Sequence, residues 1–400
     1  MKVTLDDIKK AQALIQNEIQ KTPIQYSASA TRVVNSEIYL KLENQQTTGS
    51  FKIRGAMNKI LNLNEAERKK GVIASSAGNH AQGVAYSARK IGVESHVVMP
   101  VPSSILKQAA TRHYGANVIL HGEIYDEAYA HARQLEKEKG FIFVPPYEDP
   151  YVIAGQGTLG LEILNELPDV DTVIVPIGGG GLISGVATAI KSLKPSCKVY
   201  GVVAENAPAM KCLYKKEPVA KGLSYTSIAD GISIKSPSPQ IFENFISKHV
   251  DDIVAIGEDE IAAAIVFLIE RAKTIAEGSA AIALAAAFSG QLKLGKKTCV
   301  LLCGGNIDLN LMAQIIDRGL SQSGRVARFT LVVPDKPGQL NKITQVIASQ
   351  SANILEVEHD RLDPDLHIRE TAIRVSLETK SREHVEEIKS AFLQAGFRFK

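Results

Sequence analysis

Short apolar runs alternate with segments of helical periodicity through most of the chain. Runs rich in β-branched residues are typical of buried strands. The segments between them place apolar residues every three or four positions, and most end in glycine, as helices do. This alternation predicts parallel sheets covered by helices on both faces, an α/β fold. The runs are GVIASS (71–76), ESHVVMP (94–100), ANVILH (116–121), FIFVPP (141–146), DTVIVPI (171–177), KVYGVVA (198–204) and KTCVLLC (297–303).

The runs divide into two groups, and we therefore expect two parallel sheets within a catalytic region spanning 1–320. A small subdomain takes about 45–150, and a large subdomain combines 1–44 with 151–320. The first fifteen residues, MKVTLDDIKKAQALI, lack the apolar core of a signal peptide and predict an amphipathic helix capped by Thr4.

The pattern changes near residue 321. A short polar linker, SQSGR, precedes a segment whose apolar residues indicate strand, helix, strand, strand, helix, strand. Such a βαββαβ unit over 326–400 is long enough to form a separate domain.

Composition narrows the class of protein. The 400 residues are 45% hydrophobic and 22% charged, with a net charge of +3. This balance excludes a dedicated nucleic-acid binder. The longest apolar run, IAAAIVFLI (261–269), is too short to span a bilayer, so no membrane partner is expected. The four cysteines show neither zinc-ligand nor disulfide-framework spacing, and reduced thiols in a cytoplasmic protein explain them most simply; they are Cys197, Cys212, Cys299 and Cys303.

A glycine-rich loop, VIVPIGGGGLISG, follows one predicted strand and precedes a helix. Four consecutive glycines, Gly178 to Gly181, allow a ligand to approach the backbone closely. A phosphate is the natural ligand at such a helix start. The loop lacks the Gly-Lys-Ser/Thr ending of a P-loop and the spacing of a dinucleotide-binding fingerprint.

Lys52 lies in TGSFKIRGA between Phe51 and Ile53. A lysine among apolar residues can be an ordinary surface residue near a helix start. Burial would instead lower its pKa and make its amine a base or a Schiff-base nucleophile.

Two further loops follow predicted strands. SSAGNHAQG supplies Ser75, Ser76 and Asn79 at a helix start, and CGGNID begins with Cys303. Because ligands of open α/β sheets bind beyond the carboxyl ends of strands, these loops and Lys52 should face one cleft. A lysine, a phosphate-binding loop and hydrogen-bonding loops together predict pyridoxal 5′-phosphate as cofactor.

These four motifs resemble the threonine dehydratases (threonine ammonia-lyases) of the fold-type-II, tryptophan synthase β-like pyridoxal-phosphate enzymes. The resemblance covers nearly the whole chain and points to the form with one C-terminal ACT domain. It implies that Lys52 holds the cofactor and acts as the catalytic base. It also implies a cofactor site and a site for the substrate carboxylate. The other cofactor-binding residues would be Phe51, Asn79, Gly178, Gly179, Gly180, Gly181, Leu182 and Cys303, and the carboxylate-binding residues would be Ser75, Ser76, Ala77, Gly78, Asn79 and His80.

The resemblance further implies conversion of L-threonine to 2-oxobutanoate and ammonia, and of L-serine to pyruvate. An amino-acid effector would bind the ACT domain near Pro337 and Gly338, and the chain would form a homodimer or homotetramer. Isoleucine biosynthesis and threonine catabolism both remain open as its role, as does the identity of the effector.

Two alternatives stand beside this interpretation. Serine racemases share the scaffold but use a serine where this chain has Ala77, and their cation site would place a carboxylate where this chain has Lys211, although Glu205 is present. We therefore expect little racemisation and no bound metal. A catalytically inactive amino-acid sensor is the other alternative, and the intact Lys52, Asn79 and glycine loop argue against it.

Overall fold

The computed structural model describes residues 1–400, and its contacts separate Met1–Ile307 from Asp308–Lys400. The strands of the first unit are β1 (Ile24–Tyr26), β2 (Glu37–Lys41), β3 (Val72–Ser75), β4 (Ser95–Met99), β5 (Asn117–Leu120), β6 (Ile142–Phe143), β7 (Thr172–Pro176), β8 (Lys198–Ala204), β9 (Asp252–Ile256) and β10 (Lys297–Leu301). Its helices are α1 (Leu5–Ile15), α2 (Ala28–Thr31), α3 (Lys52–Leu61), α4 (Glu65–Lys70), α5 (Asn79–Ile91), α6 (Ile105–His113), α7 (Tyr125–Lys139), α8 (Pro150–Glu166), α9 (Gly181–Leu193), α10 (Ala209–Lys215), α11 (Pro239–Ile241), α12 (Ser247–His249), α13 (Glu258–Phe267) and α14 (Gly278–Phe288). Short 3-10 turns (Glu43–Gln45, Asp230–Ile232) and π-helical turns (Phe242–Ile246, Leu268–Ala272) complete it.

The smaller sheet has the order β5-β4-β3-β6, and all its strands are parallel. Successive residues of β3 point to opposite faces, as the period of a strand requires. Val72 and Ala74 pack in the cluster that contains Val84 of α5, whereas Ile73 packs with Ala128 of α7. Both faces of β3 are therefore buried, which explains why Val72, Ile73 and Ala74 are all apolar.

The larger sheet has the order β1-β2-β10-β7-β8-β9. Its strands are parallel except for β1, which pairs with β2 in antiparallel orientation. The parallel sheet predicted from the sequence is confirmed, and β1 is an additional antiparallel strand at its edge. Only a short connection with α2 joins β1 to β2, and such a connection permits an antiparallel return but no crossover.

Close backbone contacts hold α3 between α5 and α8. A Cβ atom on Gly155 of α8 would lie 2.5 Å from the carbonyl oxygen of Arg54. A Cβ atom on Gly83 of α5 would lie 3.2 Å from the carbonyl carbon of Lys52. Glycine at these two positions lets the neighbouring helices press directly against the first turn of α3.

A network of buried ion pairs links α3 to its neighbours. The guanidinium of Arg54, which has no solvent exposure, pairs with Glu43 at 2.8 Å and with Glu162 at 2.6 Å. Glu162 also pairs with Lys41 of β2 at 2.6 Å. Because each buried charge has an opposite partner, the network can anchor α3 to both β2 and α8.

The second unit comprises α15 (Leu309–Gln322), β11 (Val326–Pro334), α16 (Gln339–Ser349), β12 (Asn353–Asp360), β13 (Glu370–Glu378), α17 (Arg382–Gln394) and β14 (Arg398–Phe399). Its antiparallel sheet has the order β12-β13-β11-β14 around an apolar core that includes Leu331 and Phe392. The strand and helix order from β11 onward is the predicted βαββαβ. The segment of α15 falls mostly within the predicted catalytic region of 1–320, whereas its contacts group it with this unit.

None of the helices is both long and apolar enough to cross a membrane. The four cysteines are free and buried.

Candidate active site

The predicted site motifs follow the carboxyl ends of β3, β7 and β10, and Lys52 begins α3. Backbone contacts tie the lysine segment to the loop after β10. The N–H of Phe51 donates to the carbonyl of Cys303 at 3.1 Å, and the N–H of Gly305 donates to the carbonyl of Gly49 at 2.9 Å. The lysine and the thiol are thus held on neighbouring, mutually bonded segments.

Lys52 has the environment of a reactive amine. Its Nζ donates a hydrogen bond to the carbonyl of Pro146 at 2.9 Å and lies 5.3 Å from the ring centre of Phe51. Burial lowers the pKa of its ammonium to about 8, although Cys303 and Glu277 nearby oppose the shift. An amine with this pKa is partly neutral near pH 7, as a nucleophile or a base must be.

The glycine loop after β7 presents unpaired backbone N–H groups. Those from Gly178 to Ile183 donate no hydrogen bond within the chain. They surround the N-terminus of α9, where the helix dipole adds partial positive charge. Gly180 has a φ of 88°, a conformation that favours glycine. The loop therefore has the donors and the charge to bind a phosphate.

Tyr147 connects the glycine loop with the lysine. A Cβ atom on Gly179 would collide with the ring of Tyr147, so the ring packs directly on the loop backbone. The preceding residue, Pro146, supplies the carbonyl that accepts from Lys52. The lysine and the candidate phosphate site thus border the same short segment.

The loop after β3 carries the predicted carboxylate-binding residues. The backbone N–H groups of Asn79, His80 and Ala81 begin α5 and donate no hydrogen bond within the chain. Ser75 is fully buried, and its Oγ has no partner. Ser76 Oγ accepts from the N–H of Gly78 at 3.2 Å. Unpaired donors at a helix start suit a carboxylate.

The imidazole of His80 is occupied by a backbone contact and does not serve as a carboxylate ligand. Its Nε2 lies 2.8 Å from the carbonyl oxygen of Val144. Burial, assisted by the charge of Lys52, lowers the pKa of its ring to about 3, so the ring is neutral. Only the backbone of His80 is available to a ligand here.

Cys303 is a buried, protonated thiol. Its Sγ donates to the carbonyl of Ser279 at 3.4 Å. Burial raises the pKa of the thiol well above its ordinary value. The group next to the lysine is therefore a neutral, weak hydrogen-bond donor.

Sequence reasoning missed Glu277, which is buried in this site. Its Oε1 accepts hydrogen bonds from Asn79 Nδ2 at 2.8 Å and from Ser279 Oγ at 2.5 Å. Burial raises the pKa of the Glu277 carboxyl to about 6. The available signal was a single glutamate directly before the apolar segment GSAAIALAAAF, because glutamate is rarely buried without a partner.

The chain is similar to known pyridoxal-phosphate enzymes over most of its length. The family described as "Pyridoxal-phosphate dependent enzyme" matches residues 15–304. The L-threonine ammonia-lyase of Thermotoga maritima is 47% identical over 395 residues, covering 99% of this chain and 98% of that protein. Among solved structures, the T.th. threonine deaminase has a TM-score of 0.72 at 36% identity, covering 76% of this chain and 99% of that one. Maize serine racemase has a TM-score of 0.74 at 32% identity, and the match covers 80% of this chain and 98% of that one.

The residues present fit pyridoxal phosphate. Its aldehyde requires an amine that is partly neutral, which Lys52 provides. Its phosphate requires several convergent donors, which the unpaired N–H groups from Gly178 to Ile183 provide. The chain therefore belongs to the family of pyridoxal-phosphate-dependent enzymes.

Proposed function

We propose that this chain dehydrates and deaminates L-threonine to 2-oxobutanoate and ammonia, and that it also converts L-serine to pyruvate. The observation that carries the proposal is the similarity to an L-threonine ammonia-lyase over 99% of the chain, combined with a buried amine of lowered pKa. Threonine and serine differ by one methyl group, a contrast worth about 1–3 kcal/mol in a pocket, so activity on both is expected.

The cofactor would be held by the motifs that surround Lys52. Lys52 Nζ would bond its aldehyde, and the backbone from Gly178 to Leu182 would bind its phosphate. Asn79 would contact the ring oxygen, while Phe51 and Cys303 would border the ring. When bound, pyridoxal phosphate supplies an electron sink for the electrons left on the substrate Cα.

The protein contributes binding, orientation and proton transfer. The N–H groups that begin α5 would hold the substrate carboxylate, together with the residues of the Ser75–His80 loop. Lys52 Nζ would take the Cα proton, because a neutral amine of pKa about 8 is a competent base near neutral pH. The neutral thiol of Cys303 adds no positive charge beside the ring, which favours loss of the β-hydroxyl over a long-lived carbanion.

Racemisation is the less favoured activity despite the similarity to maize serine racemase. Ala77 offers no hydroxyl for a second proton transfer. The Oγ of the neighbouring Ser76 accepts a hydrogen bond from the N–H of Gly78.

Replacing the lysine tests the catalytic assignment. We expect Lys52→Ala to abolish both turnover and the covalent attachment of the cofactor. Lys69→Ala is a matched control, since the side chain of Lys69 is 73% exposed on α4. Borohydride reduction followed by peptide mapping should label Lys52 in the unmodified chain. A label on another lysine would refute the assignment.

The second unit would act as an ACT-type regulatory domain. A cavity of about 370 Å³ lies where β11 meets α16, large enough for an amino acid. It includes Gly338, whose φ of 90° allows the turn at the start of α16, and His359 on β12. The helix start can hold an effector carboxylate. The remaining lining residues are Pro334, Asp335, Lys336, Pro337, Gln339, Leu340, Arg361, Thr371 and Ile373.

Effector titrations test this regulatory proposal. We expect isoleucine or valine to change threonine affinity roughly 5–150-fold, the usual range of allosteric coupling. His359→Ala should weaken that response, whereas Glu387→Ala on the exposed face of α17 should preserve it. Mass in solution should be that of a dimer or tetramer of this cytoplasmic protein. A chain that responds to no amino acid would contradict the proposal.

A further inference from the structure

A directional series of hydrogen bonds runs through the site and ends on Glu277. Asn306 Nδ2 donates to the carbonyl of Thr48 at 2.9 Å and to Asn79 Oδ1 at 2.8 Å. Asn79 Nδ2 then donates to Glu277 Oε1 at 2.8 Å. Ser279 Oγ donates to the same carboxylate oxygen at 2.5 Å.

The backbone carbonyl at one end fixes the orientation of both amides. A carbonyl only accepts hydrogen bonds, so the nitrogen of Asn306 must face Thr48. That nitrogen also faces Asn79, which must therefore present its oxygen. The nitrogen of Asn79 is left facing the carboxylate of Glu277, which accepts. One N–H of Asn79 is used by Glu277, and its second N–H remains for an acceptor on a ligand.

The carboxylate itself is firmly held. The backbone N–H of Glu277 donates to the carbonyl of Gly304 at 3.0 Å. A Cβ atom on Gly304 would collide with Glu277 Oε1, so the carboxylate packs on the bare backbone of this glycine. Glu277 is 7% exposed, and its hydrogen bonds from Asn79 and Ser279 offset part of the cost of burying a carboxylate.

We propose that Glu277 is a positioning residue, which holds Asn79 as a hydrogen-bond donor toward the ring oxygen of pyridoxal phosphate and so favours the anionic form of that oxygen. The proposal rests on the cofactor contact proposed above for Asn79. The carboxylate accepts from one N–H of the amide and thereby fixes the orientation of the amide, which keeps the other N–H available to donate to that ring oxygen.

The charge of Glu277 should make this effect dependent on pH. The charged groups around it are Lys52 of α3, Lys107 of α6 and Asp230 of the 3-10 turn, and the thiol of Cys303 is the neutral neighbour. Burial raises the pKa of the carboxyl to about 6, so Glu277 gains a proton as the pH falls through that value. The protonated acid accepts a weaker hydrogen bond than the carboxylate does. Cofactor affinity through Asn79 should therefore be greatest above pH 7.

Cofactor binding and its visible absorbance, measured from pH 5 to pH 8, test the proposal without requiring turnover. At pH 8, Glu277→Gln should weaken pyridoxal phosphate binding roughly tenfold, the difference between a charge-assisted and a neutral hydrogen bond. It should also shift the absorbance band of the bound cofactor. At pH 5 the difference from the unmodified enzyme should largely disappear.

Ser279→Ala is the matched control, because it removes a hydrogen bond from the same oxygen and keeps the charge. This variant should still lose cofactor affinity as the pH falls, with the midpoint moved to higher pH, because the hydrogen bond from Ser279 lowers the pKa of Glu277. Asn306→Asp is an independent variant, because a carboxylate at position 306 accepts hydrogen bonds and would turn the Asn79 nitrogen away from Glu277. This variant should weaken pyridoxal phosphate binding although Glu277 is intact.

Equal cofactor affinity and an identical spectrum for the unmodified enzyme and Glu277→Gln at pH 8 would overturn the proposal. The same pH dependence in both proteins would also overturn it. If Glu277→Gln does not fold, normal cofactor binding and absorbance in Asn306→Asp would count against the proposal instead. Failure of the proposed function would look different, because the unmodified enzyme would then bind the cofactor and leave threonine unchanged.

Discussion

The amine of Lys52 should titrate more than two pH units below an ordinary lysine, because burial lowers its pKa from 10.5 to about 8. In the chain freed of cofactor, about a tenth of the amine is then neutral at pH 7 and about nine tenths at pH 9. At pH 7 the neutral fraction of an ordinary lysine is about 300-fold smaller than that of Lys52. Reactivity of Lys52 should therefore rise about tenfold between pH 7 and pH 9 and then level off.

Competitive labelling with trace acetic anhydride measures this profile, with each lysine quantified by mass spectrometry of its peptide. Exposed Lys69 serves as the internal reference in the same sample. Glu277→Gln should move the Lys52 midpoint lower, because the Glu277 carboxylate raises the pKa of that ammonium. A Lys52 profile that still rises tenfold per pH unit between pH 9 and pH 10 would refute the assigned burial.

Four further outcomes are expected. Gly179→Ala should lower cofactor affinity, because its methyl group would displace the Tyr147 ring from the glycine loop; equilibrium titration with pyridoxal phosphate measures this. Arg54→Leu should lower the free energy of unfolding by about 3–5 kcal/mol, since it leaves buried carboxylates without a partner; urea unfolding measures it. Ala77→Ser should raise D-serine formation relative to pyruvate, and chiral analysis that finds no increase would contradict the need for a hydroxyl there. Glu277→Gln should stabilise the cofactor-free chain by about 2 kcal/mol above pH 7. The raised pKa of Glu277 means that its carboxylate destabilises the folded state once the pH rises through about 6. The urea midpoints of the variant and the unmodified chain should converge below pH 4.5.

Local patterns in the sequence were sufficient to predict most strands and the main chemical groups. The apolar runs predicted β3, β4, β7, β8 and β10, because strands buried on both faces are largely apolar. Lys52 and the glycine loop could be found because each lies in a short motif with an unusual composition.

What escaped prediction depends on contacts between distant parts of the chain. Glu277 reaches Asn79 from 198 positions away, and no local periodicity encodes that meeting. The packing of Tyr147 against Gly179 likewise joins segments that are separate in the sequence. The sequence shows which groups are available, whereas their partners depend on the order in which the strands lie in each sheet.

The position of β10 has a consequence for synthesis of the chain. This strand is the last of the first unit to be made, yet it lies between β2 and β7 in the larger sheet. The smaller sheet is complete once residue 143 has left the ribosome, whereas the larger sheet must wait for residue 301. Until then β2 and β7 each present an open edge, the kind of surface on which strands of other chains pair. Nascent chains stalled before β10 should therefore be the species most dependent on chaperones.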